Sequence, residues 1–326
     1  MSDFTVLLLN GAYASGVAVT LDILAAAKWL AARAGATAPS WQVCSVFGGD
    51  VTLSSGLRIA TARLTPRRRK TGALWVIPGI GVDRLAKVDA RLLDEDMEVA
   101  ARAVARHVRA GGRVAASCSA VFLLHKAGVL AGRRATTAWW LAPHLQQRAT
   151  DSAVDANRMV CADGPVLTSG AALAQVDLML HLLRDHSGSK LSGLVSRMLL
   201  IDGRQAQAPF IVPELLASGD QLVGQVVARI EAAFPETVSV EELAAAFGMS
   251  ARTLSRHVRR ATGNSTMALV QSVKLRKARG MIESSRMNIE QIAASVGYQD
   301  STALRRMMRK VTGSNPSSYR QATSIA

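Results

Sequence analysis

The 326-residue chain reads as an α/β domain, a parallel sheet sandwiched by helices, followed by an all-α domain with two helix-turn-helix units. Three observations predict this. Up to about residue 186, short β-rich apolar runs alternate with longer Ala-rich stretches of helical period, the pattern of a parallel sheet covered by helices. Residues 187–221 are punctuated by Gly188, Gly193, Gly203, Pro209 and Pro213, as expected of a domain boundary. Beyond Leu222 strand-like runs cease, every apolar pattern has helical period, and one segment occurs twice. The predicted organisation is a first domain over 1–186, a linker over 187–221 and a second domain over 222–326.

In the first domain, strands are expected at 5–9, 42–47, 74–77 and 113–116. Helices are expected at 19–33 and 94–109, the latter because Val99, Ala103, Val104 and Val108 recur at three-to-four spacing before Gly111-Gly112 closes it. The run Arg67-Arg68-Arg69-Lys70 precedes a strand and reads as a solvated loop. A short helical pattern over 191–200 interrupts the linker.

In the second domain, Leu243-Ala-Ala-Ala-Phe-Gly248, a turn, Leu254-Ser-Arg256, Arg259-Arg260 and Thr262-Gly263 recur as Ile292-Ala-Ala-Ser-Val-Gly297, a turn, Leu304-Arg-Arg306, Arg309-Lys310 and Thr312-Gly313. Each copy is a short helix, a Gly-containing turn and a second helix. A polar cap leads that second helix, Ser250 in one copy and Asp300 or Ser301 in the other, which is helix-turn-helix grammar. A longer helical pattern over 267–283 connects them.

Charge follows the repeat. The whole chain carries a formal +15, from 39 Lys and Arg against 24 Asp and Glu, which favours polyanionic partners. Between Arg252 and Lys310 there are thirteen Lys and Arg against three acids. With Leu254 and Val258, or Leu304 and Met308, facing a core, the opposite faces present Arg252, Ser255, Arg256 and Arg259 in one copy and Thr302, Arg305, Arg306 and Arg309 in the other. Arginine forks suit guanine edges and phosphate, so these faces have the chemistry of a major-groove reader.

Other classes recede. Three cysteines, Cys44, Cys118 and Cys161, match neither a disulfide framework nor a zinc site, so no metal is called for and a reducing cytoplasm is expected. The N-terminus has no export signal, and a charged residue or histidine interrupts each apolar stretch, so no membrane partner is expected. Gly79 and Gly81 follow a strand but lack the rest of a dinucleotide fingerprint, and no cofactor is expected.

Residues 239–320 resemble the AraC-type DNA-binding domain. The resemblance lies in Leu243-Ala244, Gly248-Met249-Ser250, Arg252-Thr253-Leu254, Arg256, Thr262-Gly263, Ala278-Arg279, Ile292-Ala293, Gly297-Tyr298, Thr312-Gly313 and Pro316-Ser317-Ser318-Tyr319-Arg320. Leu304 and Met308 depart from it where the family favours Phe, and Thr266 lies where it has a nearby Pro. Residues 4–186 resemble the regulatory half of GlxA-like regulators, a domain similar to the glutamine-amidotransferase and PfpI-protease fold. That likeness runs through Ala116-Ser117-Cys118-Ser119-Ala120, the stretch from Ala127 to Thr137, Trp139, Leu167-Thr168-Ser169-Gly170 and Asp177, and it implies a flavodoxin-like sheet. Gly203-Arg204-Gln205 fits the same family.

Cys118 falls between the strand at 113–116 and a helical run at 120–126. It is therefore expected at a strand-to-helix turn, where a nearby helix N-terminus lowers a thiol pKa. The resemblance places it at the nucleophile elbow of related enzymes, but position 138, often a histidine in that family, is Ala. His125 lies seven residues along the same helix, about 10 Å by rise, too far to act as base, and His144 belongs to the next helix. A ligand pocket is expected instead, with Cys118, Gly79 at its rim, and Asp22 in the place where the family has an acid on the first helix. The resulting expectation is a cytoplasmic, non-enzymatic, sequence-specific DNA-binding transcription regulator. It answers to an unknown small-molecule effector, pairs as a homodimer through the front domain, and has double-stranded DNA as its partner. The alternative is a cysteine-dependent amidase or hydrolase with a basic DNA-associating tail.

Overall fold

The structure is a computed structural model describing residues 2–65, 73–82, 84–201, 207, 220–263, 265–312 and 315–316. The chain divides into two compact units, Met1–Arg204 and Gln205–Ala326. The basic run 67–70, residues 203–205 and residues 317–320 lie outside the described residues.

The first unit runs β1 (Phe4–Leu7), α1 (Ala14–Ala34), β2 (Trp41–Ser45), β3 (Gly49–Thr52), β4 (Arg58–Arg63), β5 (Leu74–Ile77), α2 (Leu85–Arg91), α3 (Glu95–Arg109), β6 (Arg113–Ser117), α4 (Val121–Lys126), β7 (Arg134–Ala135), α5 (Ala142–Arg148), β8 (Ala153–Val154), β9 (Val160–Asp163), β10 (Val166–Ser169) and α6 (Gln175–Met198). Eight strands form one sheet in the order β3-β4-β2-β1-β5-β6-β10-β9. The interior pairs are parallel, Phe4 against Trp41 on one side of β1 and Phe4 against Leu74 on the other. The two edge strands differ from the all-parallel expectation, since β3 and β9 pair antiparallel with β4 and β10. Both belong to tight hairpins too short to return a strand in parallel.

Helices cover both faces. Val17, Ile23, Leu24 and Leu30 of α1 share one core with Leu178, Leu182 and Leu183 of α6. Met97 and Val104 of α3, Phe122 of α4 and Leu145 of α5 share the other. Helix α1 is apolar and long enough, by length and composition alone, to cross a membrane. Its apolarity has a local cause, because nine of its residues are buried in the unit. Helix α6 overruns the expected boundary at 186. Gly188 breaks its helical geometry at φ 87°, after which Leu191 and Val195 return to the α1 core at zero exposure. Ser192 Oγ donates to the Leu180 carbonyl at 3.0 Å, so the second half of α6 doubles back on the first.

The second unit is helical: α7 (Gln221–Ala232), α8 (Val240–Ala246), α9 (Ala251–Thr262), α10 (Thr266–Ser284), α11 (Ile289–Ser295) and α12 (Ser301–Thr312). The repeat is legible in its caps. Ser239 and Glu242 form a capping box on α8, and Asn288 and Gln291 form the same box on α11, each satisfying backbone donors that a helix leaves bare. Gly248 and Gly297 end those helices at φ 64° and 72°, a conformation glycine adopts without penalty. Ser250 accepts from the Thr253 N–H, and Asp300, rather than Ser301, accepts from the Ala303 N–H at 2.7 Å. Helix α10 joins the halves. Leu269, Val270 and Val273 in its first part are buried, and Leu275, Ala278 and Ile282 in its second part pack with Ile292, Val296, Leu304 and Met308.

Candidate nucleic-acid interface and the Cys118 turn

Helix α9 buries Leu254, Val258 and Thr262 at zero exposure and turns Arg252, Arg256, Arg259 and Arg260 outward. Three-and-four spacing places Arg252, Arg256 and Arg259 on one face. Ser255, expected among them, is half-buried and accepts from Thr266 Oγ1 at 3.4 Å. It belongs to the seam with α10 more than to the outer face. His257 ties α9 to the start of α7 through Asp220, 2.7 Å away.

Helix α12 repeats the arrangement. Leu304 and Met308 are 0% and 1% exposed, so aliphatic residues close this core without the family's aromatics. Thr302, Arg305, Arg306 and Arg309 are exposed. Arg309 donates through Nε and Nη2 to Asn315 Oδ1 at 3.2 and 2.9 Å, which fixes its fork beside the helix end. Glu290 is held below the usual carboxylate range by the Ser301 hydroxyl, its own backbone amide and the Arg305 charge, so Arg305 is partly engaged. Arg252, Arg256, Arg259 and Arg306 make no hydrogen bond or ion pair among the described residues. The two faces therefore offer unspent guanidinium forks on rigid, capped helices, the donors that base edges and phosphates accept. Arg260 was missed as an outward cation, although its place next to Arg259 in the repeat carried the signal.

In the first unit, Cys118 follows β6 directly and sits at φ 52°, the left-handed region a non-glycine residue rarely adopts. Its surroundings hold it there. The Cys118 N–H donates to the Gly170 carbonyl at 2.8 Å, and Thr137 Oγ1 donates to the Cys118 carbonyl at 2.6 Å. Ser117 Oγ accepts from the Gly79 N–H at 3.0 Å. Ser119 Oγ accepts from the Ile80 N–H at 2.8 Å and donates to the Ile80 carbonyl at 2.6 Å. A Cβ on Gly79 would stand 2.8 Å from that of Cys118, so glycine there is a condition of the two loops meeting. Cys118 thus lies at a strand-to-helix turn between β6 and α4, with Gly79 packed against it.

The expected acidic thiol does not survive. Cys118 is 3% exposed and burial pushes its thiol up to about 11, against hydrogen bonds from Ser119 that act the other way. Loss of hydration outweighs the helix-end effect that sequence alone makes visible. Ala138 is buried, His144 bonds Asp89 at 2.8 Å, and no histidine or carboxylate among the described residues hydrogen-bonds Cys118. Asp22 is exposed on α1, while Thr20 of the same helix is buried and accepts from Gln175 Nε2 at 2.8 Å. Ser117 and Ser169 are register partners on β6 and β10, so their side chains share one face of the sheet, that of α1 and α6. Ser169 Oγ and Gln175 Oε1, both buried, have no hydrogen-bond partner among the described residues. Sequence gave no signal for that orphaned pair. Among the described residues no group of three or more His, Cys, Asp or Glu is placed to hold a metal ion.

A family model described as DJ-1/PfpI matches residues 6–185. The chain belongs to the DJ-1/PfpI family. A second model, described as a helix-turn-helix domain, matches residues 243–322, so an AraC-type unit follows the DJ-1/PfpI domain. The HTH-type transcriptional regulator GbdR of Pseudomonas aeruginosa is 26% identical over 285 residues, 86% of this chain and 74% of that protein. The HTH-type transcriptional regulator GlxA of Rhizobium meliloti is 25% identical over 303 residues, 91% of this chain and 89% of that protein. A solved AraC family transcriptional regulator from Pseudomonas putida has the same fold over 61% of this chain and all of its own, with a TM-score of 0.50 and 20% identity.

Proposed function

We propose that this DJ-1/PfpI family member is a sequence-specific DNA-binding transcription regulator in which a small molecule at the front unit biases DNA binding by the second. The observation that carries the reading is the duplicated, separately capped helix-turn-helix with unpaired guanidinium groups on the outer face of both second helices. Arg256 and Arg306 are assigned to base edges, and Arg259 and Arg309, further along their helices, to phosphate. Two such faces would enter successive major grooves on one side of the duplex, about 34 Å apart. The likeness to regulators over most of the chain supports the same class.

The effector is assigned to the crevice at the carboxyl ends of β1, β5 and β6, where the strand order reverses on either side of β1 and α/β folds hold their ligands. The orphaned Ser169 and Gln175 atoms favour a ligand, or a water it displaces, that both gives and accepts hydrogen bonds. A cysteine hydrolase fits less well, since a thiol titrating near 11 with no base beside it is not a nucleophile at neutral pH. The reading places the protein in the cytoplasm, on double-stranded DNA, as a homodimer through the front unit. Sequences selected from a random pool by the full-length protein, followed by footprinting, test it. Two protected major grooves are expected, with Arg306→Ala costing about 1 to 3 kcal/mol and relaxing preference in one half only. No selection of sequence, or turnover of an amide that vanishes in Cys118→Ala, would overturn it.

A further inference from the structure

The turns of the two helix-turn-helix units hold equivalent places in the repeat, the second one residue longer, and differ in what surrounds them. A Cβ on Gly248, in the first turn, would meet nothing within 4 Å. At Gly297, in the second, it would stand 2.5 Å from the Pro235 carbonyl oxygen and 3.3 Å from Lys274 Nζ. Lys274 comes from α10 at the point where that helix passes from the core of the first half to that of the second, between Val273 and Leu275. Its side chain is buried, at 6% exposure. Nζ donates to the Gly297 carbonyl at 3.1 Å and stands 5.3 Å from the centroid of the Tyr298 ring, within cation–π range. No carboxylate pairs with it among the described residues, and burial alone lowers its pKa. A buried ammonium without a counter-ion is an expensive way to fill a helical seam. A methionine would fill the same volume without that cost. The carbonyl it holds belongs to the turn that joins α11 to α12.

We propose that Lys274 is a positioning residue that locks the second helix-turn-helix turn onto the connecting helix and so fixes the spacing and rotational phase between the two base-reading faces. Among the described residues the first turn has no such lock, and the second helix of that unit is oriented by His257 and Ser255 instead. The Pro235 carbonyl oxygen lies on the same, Cβ-facing side of Gly297 as Lys274 Nζ, so the second turn meets both the connecting helix and the segment that precedes α8. This rests on the reading that both units contact DNA.

The test uses the full-length protein and the bipartite site selected by the wild type, with one or two base pairs inserted or removed between its halves. Wild type is expected to lose about tenfold or more in affinity for a one-base-pair change, and Lys274→Met to lose no more than about threefold while each half keeps its base preference. Lys274→Arg, which retains charge and donors, is expected to restore most of the wild-type spacing penalty. A merely structural role would instead weaken all spacings alike in step with melting temperature. Should Lys274→Met fail to fold, Lys274→Gln carries the same expectation of a reduced penalty. A folded Met or Gln variant with the wild-type spacing penalty would overturn the proposal while leaving the regulator reading intact. A single protected groove in the wild type would remove both.

Discussion

His257, midway along α9, donates to one carboxylate oxygen of Asp220 at 2.7 Å while the other accepts from the Val223 N–H at 3.2 Å. One side chain thereby caps α7 and anchors α9, at the position where the chain enters the second unit's first helix.

Asp220→Ala is expected to destabilise the second unit by about 1 kcal/mol at neutral pH, the usual cost of losing an N-cap. Burial raises the Asp220 carboxyl, but the His257 hydrogen bond, the Val223 and Leu222 amides and the His257 charge outweigh it and bring the pKa below its ordinary value. A depressed folded pKa gives stability that is complete above the unfolded value of about 4 and fades as the pH falls through the folded one. The melting-temperature gap between wild type and variant should therefore be widest at neutral pH and narrow below about pH 4. A gap that stays constant into acid would refute the assignment.

Cys118 should resist alkylation in the native protein. With its thiol raised to about 11, it is protonated throughout the physiological range, and the thiolate is the reactive form. Peptide mapping after brief iodoacetamide treatment at pH 7.5 should find Cys118 unmodified unless denaturant is present. Rapid labelling at that pH would mean that the pocket opens.

Gly79→Ala is expected to cost about 1 to 3 kcal/mol through overpacking against Cys118. Cys118→Gly removes the opposing Cβ and suits the φ of 52°. In that background the Gly79→Ala penalty should fall by more than half, a coupling read directly from a double-mutant cycle. Additive losses would show that the two loops do not meet as described.

Arg259→Ala and Arg309→Ala should weaken binding to selected and random DNA equally, each lowering the salt slope by about 1. Asn315→Ala should mimic part of the Arg309 effect, because Asn315 holds that guanidinium in place. Altered base preference in any of the three would place them on base edges instead.

The sequence carried the two helix-turn-helix units and their connecting helix, because helix caps, Gly248, Gly297 and the amphipathic period are local signals that recur 49 residues on before the turn and 50 after it. In the first unit the interior strands β1, β2, β5 and β6 were legible as apolar runs. The edge hairpins β3–β4 and β9–β10 were not, being short and partly exposed. The exposure of Asp22 was not legible, because α1 is apolar on most sides and its period does not say which side meets the sheet. The Cys118 turn could be read from its neighbours in sequence, whereas its raised thiol pKa comes from residues distant in the chain. Gly188 looked like a terminus and is a kink, since the helix resumes where Leu191 can reach the α1 core.

That kink decides where these units can be recombined. A chimaera spliced at residue 187 would carry a first unit stripped of Leu191, Ser192 and Val195, with an apolar trough along α1 and α6 laid open. It would reach the cell as insoluble protein, and a screen for swapped effector responses would score the failure as incompatibility between partners. Fusion points placed after residue 201 keep the trough sealed and leave the exchange of readers to be judged on its own terms.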